Sequence, residues 1–288
     1  MKPTRHVTAV LLLAAIAAVG CSKRGDASRA EAASIDAGKV KPVATAGDSP
    51  VPKPAGGEGL DAEATANVPP PSTFADGRLA YGAGDYSAAT GIFERYTGRR
   101  PENAWGHYML GLSAWKSGDL AKAEGAFEKA LSIDPHHVKS LVNLSRVFID
   151  QKKNDAALER LTRAADIDPD STEVQRLLGR TYLAQGKTDE AEAAYRRAIE
   201  LNELDAWSMN NLGLLLLESG RVDEAMPLFE KAVELKKEVP AFHNNLGMAL
   251  EHLGRYSDAA AAYSGALSVD PGYEKAKKNL SRVEAVSK

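Results

Sequence analysis

The sequence predicts an all-α solenoid, a fold in which short helical units stack side by side along one axis. The first observation is a constant 34-residue period that runs from about residue 70 to the C-terminus without insertions or deletions. The second is the recurrence of a small residue once in each period. A fixed period of this length is typical of repeat proteins, in which each unit packs only against its neighbours. The small residues spaced 34 apart are Gly77, Gly111, Ser145, Gly179, Gly213, Gly247 and Ser281.

Each repeat contains the pattern of a first amphipathic helix. We number repeat positions from residues 70, 104, 138, 172, 206 and 240, with a final half-unit from 274. Positions 7 and 11 are apolar in most repeats, and residues four apart share one helical face. Position 15 is usually glycine, which suits a left-handed turn that ends a helix. Position 7 is Leu110, Leu144, Leu178, Leu212, Leu246 and Leu280.

A second helix follows within the same repeat. Acidic residues or serine at position 18 favour the start of a helix. Alanine at position 20, an aromatic residue or leucine at position 24 and alanine at position 27 then form a second apolar stripe. Proline at position 32 favours the end of this helix. The prolines at position 32 are Pro101, Pro135, Pro169 and Pro271.

Taken together, these positions closely resemble the tetratricopeptide repeat (TPR). The resemblance implies antiparallel helix pairs stacked into a right-handed superhelix, with the first helices lining a concave groove. It predicts a degenerate first repeat at 70–103, with Asp76, Ala80 and Tyr96 at core positions. A charged helix at 274–288 is predicted to cap the end of the solenoid. The intervening repeats are predicted at 104–137, 138–171, 172–205, 206–239 and 240–273.

The N-terminus resembles the signal peptide of a bacterial lipoprotein, predicted at residues 1–20. Lys2 and Arg5 precede an uncharged run at 7–19 that is too short to cross a bilayer comfortably. Ala18-Val19-Gly20-Cys21 resembles a lipobox, although leucine is commoner where Ala18 stands. The resemblance implies acylation of Cys21, including palmitate, and anchoring in the outer membrane facing the periplasm. An ordinary cleaved signal and a short uncleaved anchor are the alternatives.

Residues 21–69 are predicted to form the lipidated cysteine and a disordered tether. The stretch 22–69 contains no aromatic residue and is rich in Ala, Gly, Pro, Ser and charge. Such a segment buries too little apolar surface to offset the entropy lost on ordering. We expect it to let the repeats reach away from the membrane, or to be filler without specific contacts.

Asparagine recurs on the predicted groove face. An amide side chain both donates and accepts hydrogen bonds, so a row of them could hold the backbone of an extended peptide. This pattern resembles the asparagine ladders of superhelical repeat proteins. The alternative is that asparagine is simply consensus sequence and caps contacts between adjacent helices. The predicted groove asparagines are Asn143, Asn211, Asn245 and Asn279 at position 6, with Asn210 and Asn244 at position 5.

Arginines and tryptophans also fall on the predicted groove face. Arg146, Arg176 and Arg180 in the middle of the array could favour an acidic partner segment, or they could be a solvated surface. Trp207, with Trp105 and Trp115, could anchor a partner or pack against the next repeat.

Composition argues against several other classes of function. Formal net charge is −3, so there is no basic field that points to nucleic acid. The single cysteine excludes an intramolecular disulfide, and the scattered histidines do not suggest a metal site. We recognise no catalytic motif, and we expect no enzyme activity, cofactor or small-molecule substrate.

The sequence therefore predicts a non-enzymatic scaffold or assembly factor of the bacterial cell envelope. It would bind an extended segment of an envelope protein in its groove, while Cys21 anchors it to the membrane. Its architecture resembles that of pilotin-type lipoproteins, which help secretins assemble. The alternatives are a self-associating structural subunit and a non-catalytic adaptor of an envelope enzyme or a secretin or pilus complex.

Overall fold

The computed structural model describes residues 73–286, and within them the chain forms thirteen α-helices and no strand. Cys21, the predicted signal peptide and the predicted tether lie outside the described residues. The helices are α1 (Phe74–Gly82), α2 (Tyr86–Arg99), α3 (Ala104–Ser117), α4 (Leu120–Ile133), α5 (Val138–Asp150), α6 (Asn154–Ile167), α7 (Thr172–Ala184), α8 (Thr188–Leu201), α9 (Ala206–Glu218), α10 (Val222–Leu235), α11 (Pro240–His252), α12 (Tyr256–Val269) and α13 (Glu274–Val286).

The helices stack as successive pairs. Each helix packs against the next one in the chain. Successive odd-numbered helices from α3 to α13 also contact one another, whereas among the described residues the even-numbered helices make at most a marginal contact. The odd-numbered helices therefore lie closer together and form the inner face, which we call the groove, while the even-numbered helices spread over the outer face. The prediction of an all-α solenoid is confirmed.

The two helices of a pair meet where a glycine faces a ring. A Cβ placed on Gly247 would lie 2.5 Å from the Tyr263 ring, and one on Gly179 would lie 2.6 Å from the Tyr195 ring. Those distances are too short for any real Cβ atom. The repeat at 138–171 has Ser145 in place of the glycine and Leu161 in place of the ring. The sequence pairs glycine with a ring because the helices can approach this closely only without a side chain.

The turns inside the repeats are left-handed where the sequence predicts them. The glycines at position 15 all have φ between +71° and +90°. Lys152 adopts φ +61° at the same position and is the only described non-glycine residue with positive φ. This left-handed backbone conformation is less favourable for lysine than for glycine, but packing of the repeat keeps Lys152 in it.

The second helices begin slightly earlier than position 18. Asp155, Asp189 and Asp223 lie in the first turns of α6, α8 and α10 rather than at their N-caps. Acidic groups there still interact favourably with the positive end of the helix dipole. In the first two repeats Asp85 and Asp119, at position 16, are the N-caps, and each accepts a hydrogen bond from a backbone N–H of the helix that follows.

The first repeat places Asp76 outside the core, which explains why a charge occupies a position that is leucine elsewhere. Helix α1 begins at Phe74, so Asp76 lies in its first turn and is exposed. The Asp76 carboxylate accepts a hydrogen bond from the Thr73 N–H, and the Thr73 hydroxyl accepts one from the Asp76 N–H. This reciprocal capping box starts the solenoid, and the hydrogen bonds to Thr73 lower the pKa of Asp76.

Candidate functional site

The groove of the solenoid contains two polar regions of different character. Four asparagines of α9, α11 and α13 form the asparagine ladder, defined as Asn210, Asn244, Asn245 and Asn279. Three arginines of α5 and α7 form the arginine cluster, defined as Arg146, Arg176 and Arg180. Every one of these residues was predicted from the sequence to face the groove. The structure shows which of them already bind neighbouring side chains.

The asparagine ladder hydrogen-bonds across neighbouring helices. Asn245 Nδ2 donates to Asn210 Oδ1 at 2.8 Å, and Asn279 Nδ2 donates to Asn244 Oδ1 at 3.0 Å. Asn210, Asn244 and Asn245 are buried, and Asn279 is half-buried. These amides therefore join one repeat to the next, which was the alternative interpretation of the sequence pattern. Their contribution to partner binding stays a prediction.

Asn211 does not join the ladder. In both ladder bonds an asparagine at position 6 donates to an asparagine at position 5 of the preceding repeat. Position 5 of the repeat before Asn211 is Arg176, which bonds to Asp205 instead. Asn211 is half-buried and has no hydrogen-bond partner among residues 73–286. Its amide is therefore available to a ligand in the groove.

Asn143 is held inside its own helix. Its Nδ2 donates to the Lys139 carbonyl at 2.9 Å, and its Oδ1 lies 3.5 Å from Arg146 Nη1. The residue is buried. We conclude that Asn143 supports Arg146, and that it offers little surface to a partner.

Two members of the arginine cluster are paired with carboxylates of the next repeat or the turn before it. Arg146 forms an ion pair with Glu173. Arg176 Nη1 donates to Asp205 Oδ1 at 2.6 Å, and the Ser208 hydroxyl donates to the other oxygen of Asp205. Asp205 is only 5% exposed, so Arg176 neutralises a charge that would otherwise be buried alone.

Arg180 is the unpaired member of the cluster. No residue of the described range forms a hydrogen bond or ion pair with its guanidinium. Burial lowers the pKa of Arg180, and the neighbouring charges of Arg146 and Arg176 lower it further, against opposing contributions from Tyr195 and Asp150. The Asp150 carboxylate is already bonded to Trp115 Nε1, at 2.9 Å. Arg180 therefore experiences the charge of Asp150 but forms no ion pair with it.

The sequence analysis treated position 24, where Tyr195 stands, only as part of an apolar stripe and so overlooked its hydroxyl. Its ring is fully buried, and its hydroxyl is a buried group without a hydrogen-bond partner in the described residues. Tyr263 occupies the same repeat position, but its hydroxyl donates to Glu251 at 2.8 Å. The residue at the position of Glu251 in the Tyr195 repeat is Leu183. Comparing position 12 between the two repeats would have revealed the missing acceptor.

The groove tryptophans pack against neighbouring repeats and remain half-buried. The Trp207 ring lies 4.9 Å from the Phe242 ring, and the Trp105 ring lies 4.8 Å from the His137 ring. Trp115 bridges to the next repeat through Asp150. These contacts bury each tryptophan only in part, and the rest of each side chain is exposed to solvent.

Residues 73–286 contain neither a candidate metal-binding cluster nor a helix suited to crossing a membrane. No group of three or more His, Cys, Asp or Glu residues in this range could hold a metal ion. None of the thirteen described helices has the length and apolar character needed to cross a membrane.

Several solved structures share this fold. The protein MamA is 27% identical over 60% of this chain and 94% of its own, with a TM-score of 0.50. The protein pilF of Pseudomonas aeruginosa is 17% identical, with a TM-score of 0.63 over 72% of this chain and 94% of its own. YrrB, described as a TPR protein with an unusual peptide-binding site, is 19% identical, with a TM-score of 0.50 over 65% of this chain and 96% of its own.

Family models match most of the described part of the chain. One model described as a tetratricopeptide repeat matches residues 74–138, 176–240 and 210–274, and a second such model matches residues 114–181. Comparison with curated proteins gave no match. Together the models span residues 74–274, well over half of the chain, and their description agrees with the stacked helix pairs. This chain belongs to the tetratricopeptide repeat family.

Proposed function

We propose that this protein is a lipid-anchored scaffold or assembly factor of the bacterial cell envelope. Its groove binds an extended segment of another envelope protein, and Cys21 carries the lipid. The proposal unites the repeat domain with the lipoprotein-like N-terminus. Pilotin-type assembly of a secretin or pilus is one form of this role, and an adaptor for an envelope enzyme is another.

The observation that carries the binding role is a pair of half-exposed polar side chains on the inner helices that have no protein partner among the described residues. Arg180 and Asn211 face neighbouring parts of the groove without partners among the described residues. Trp207 is half-buried and lies on α9, the same helix as Asn211. Polar groups that lack protein partners favour a ligand that supplies them. Domains of this family generally bind peptides, and the solved relative YrrB is described as having a peptide-binding site.

Photocrosslinking in living cells tests the binding role. A photoreactive amino acid replaces Asn211 in the groove, and the matched control places it at Glu230, which is exposed on the outer helix α10. We expect a crosslinked envelope protein from the Asn211 position and none from the Glu230 position. Equal yields from both positions would contradict groove binding. Adducts that contain only this chain would favour self-association, which sedimentation of the pure protein would then measure.

Fractionation of cells tests the lipid anchor. We expect the Cys21→Ser variant to leave the membrane fraction, because the thiol is the acylation site. Ser22→Ala keeps the thiol and is the matched control. Retention of the Cys21→Ser variant in the membrane would exclude this anchor.

A further inference from the structure

The C-terminal part of the solenoid contains a completed site for a carboxylate. Glu251 accepts a hydrogen bond from the Tyr263 hydroxyl at 2.8 Å and two from the Arg282 guanidinium at 2.8 and 2.9 Å. A buried tyrosine hydroxyl and an arginine thus bind a single carboxylate between them. Each of these hydrogen bonds involves a charged group, which makes it shorter and stronger than a neutral one.

The repeat at 172–205 contains the same two types of donor without the carboxylate. Tyr195 lies at the repeat position of Tyr263, and its buried hydroxyl has no partner in the described residues. The Tyr195 ring packs directly against Gly179, the residue before Arg180, and Arg180 has no ion pair of its own in the described range. Leu183 stands where Glu251 stands in the completed site. Arg180 lies on α7, the first helix of the repeat that contains Tyr195. Arg282 instead lies on α13, the helix after the repeat that contains Tyr263.

Two of the nearby acidic groups form ion pairs with other arginines, while Asp150 acts on Arg180 electrostatically without forming an ion pair with it. Glu173 pairs with Arg146, Asp205 pairs with Arg176, and Asp150 accepts a hydrogen bond from Trp115. Arg146 and Arg176 therefore each have a carboxylate partner in this part of the groove, and Arg180 has none among the described residues. A positively charged, partly desolvated guanidinium next to an unsatisfied hydroxyl favours an anionic ligand with two oxygens.

We propose that Arg180 and Tyr195 together bind the carboxylate of an aspartate or glutamate side chain within the extended partner segment. Arg180 retains solvent exposure and Tyr195 is fully buried, so a carboxylate that enters from the groove meets Arg180 first. Helix α7 is the middle one of the seven odd-numbered helices described. A side chain suits this place better than a chain terminus, because a terminus here would leave half of the groove empty. This inference rests on the proposed function and specifies the chemistry of the partner.

The first test is selection of peptides by the purified full-length chain. The probe is a library of random dodecamers displayed between neutral flanks, with a second library that presents free C-termini. We expect the wild-type protein to enrich internal Asp or Glu at one position, and the Arg180→Met variant to lose that preference. Enrichment without an acidic position would overturn the carboxylate site and leave groove binding intact. Enrichment of free C-termini alone would also overturn the side-chain proposal, and no enrichment in either library would overturn groove binding itself.

The second test measures affinity for the best acidic peptide by fluorescence anisotropy. We expect Arg180→Met to weaken binding at least about tenfold, as loss of a charge-assisted contact should. Replacing the peptide's Glu or Asp by its amide should weaken wild-type binding similarly and scarcely change binding to Arg180→Met. Independent, additive losses from the two changes would show that the arginine and the acid do not meet.

A third variant supplies the missing carboxylate from within the protein. Leu183→Glu places an acid where Glu251 stands in the completed site, and it should compete with the peptide and weaken binding about tenfold. Glutamine has the same size as glutamate but carries no charge, so Leu183→Gln controls for the loss of the leucine's apolar contacts. Equal effects of the two substitutions would contradict the proposal. Circular dichroism of each variant confirms that it is folded.

Discussion

The asparagine ladder and the arginine cluster occupy the same face of the same solenoid, yet only the ladder residues all hydrogen-bond to one another across repeats. In the ladder, amides of consecutive repeats bond directly, as in the contact between Asn245 and Asn210. In the cluster, Arg146 and Arg176 find carboxylates, but Arg180 does not. Repeated backbone geometry therefore does not imply repeated function. One region uses its polar side chains to hold the repeats together, and the other contains an arginine without an ion pair in the described part of the chain.

The same contrast appears in the two buried tyrosines. Tyr263 bonds to Glu251, whereas the Tyr195 hydroxyl has no partner in the described part of the chain. A buried polar group without a partner costs about 1–3 kcal/mol. The repeat that contains Tyr195 thus gives up stability that the C-terminal repeat keeps.

The largest expected effect tests whether the two regions share their backbone packing. Gly179→Ala and Gly247→Ala each bring a Cβ to 2.6 or 2.5 Å from a tyrosine ring. We expect each to lower the free energy of unfolding by about 2–3 kcal/mol, because a filled core must shift to admit the methyl group. Urea unfolding followed by circular dichroism measures this loss. Gly125→Ala is the control, since nothing lies within 4 Å of its Cβ, and a clear difference between Gly179→Ala and Gly247→Ala would show that the regions differ in backbone packing as well.

The next effect separates paired from unpaired arginines. Arg176→Met removes the partner of the buried Asp205 carboxylate, and we expect it to destabilise the protein by about 2 kcal/mol. Arg180→Met removes no ion pair, so its effect should be within about 0.5 kcal/mol or slightly stabilising. Thermal unfolding of both variants beside the wild type makes the comparison. Similar losses for both would mean that Arg180 supports the fold and is not reserved for a ligand.

A smaller effect distinguishes asparagines inside and outside the ladder. Asn245→Ala breaks a buried hydrogen bond to Asn210 and should cost about 1 kcal/mol. Asn211→Ala should cost less than about 0.5 kcal/mol, because its amide has no described partner. Urea unfolding at neutral pH resolves the difference. If Asn211→Ala were the more harmful change, the proposed availability of its amide would be wrong.

The smallest expected effect is a dependence on pH in the completed carboxylate site. Burial raises the pKa of Glu251, but hydrogen bonds from Arg282 and Tyr263 outweigh it and bring the pKa below the ordinary 4.5. A lowered pKa means that the ionised group stabilises the fold above pH 4.5, and that this contribution is lost as pH falls through the folded-state pKa. The Tm difference between wild type and Glu251→Gln should therefore shrink as the solution is acidified. A difference that is constant from neutral pH to pH 3 would contradict this assignment.

The stacked-helix fold was predictable because its signals are local and repeated. Leucine at position 7 and alanine at position 20 follow the helical period, and glycine at position 15 permits the left-handed turn. The residue types at the groove were also predictable, since their repeat positions place them on the inner helices. Asp76 was harder to interpret, because its capping role depends on where α1 begins.

The availability of the groove residues was not predictable from single positions. The decisive contacts join residues 27 to 35 apart, such as Asn245 with Asn210 and Arg176 with Asp205. Whether an arginine or an asparagine is free depends on what stands on the neighbouring helix. Arg180, Arg176 and Arg146 look alike in the sequence, and only their surroundings distinguish them.

The sequence by itself determined that this protein is a stack of helix pairs, because short-range periodicity decides which faces are apolar and where helices end. Tertiary structure alone decided which polar side chains bind their neighbours and which remain open. The physical reason is that a hydrogen bond or ion pair needs both partners within about 3 Å, and only stacking of the repeats brings them there.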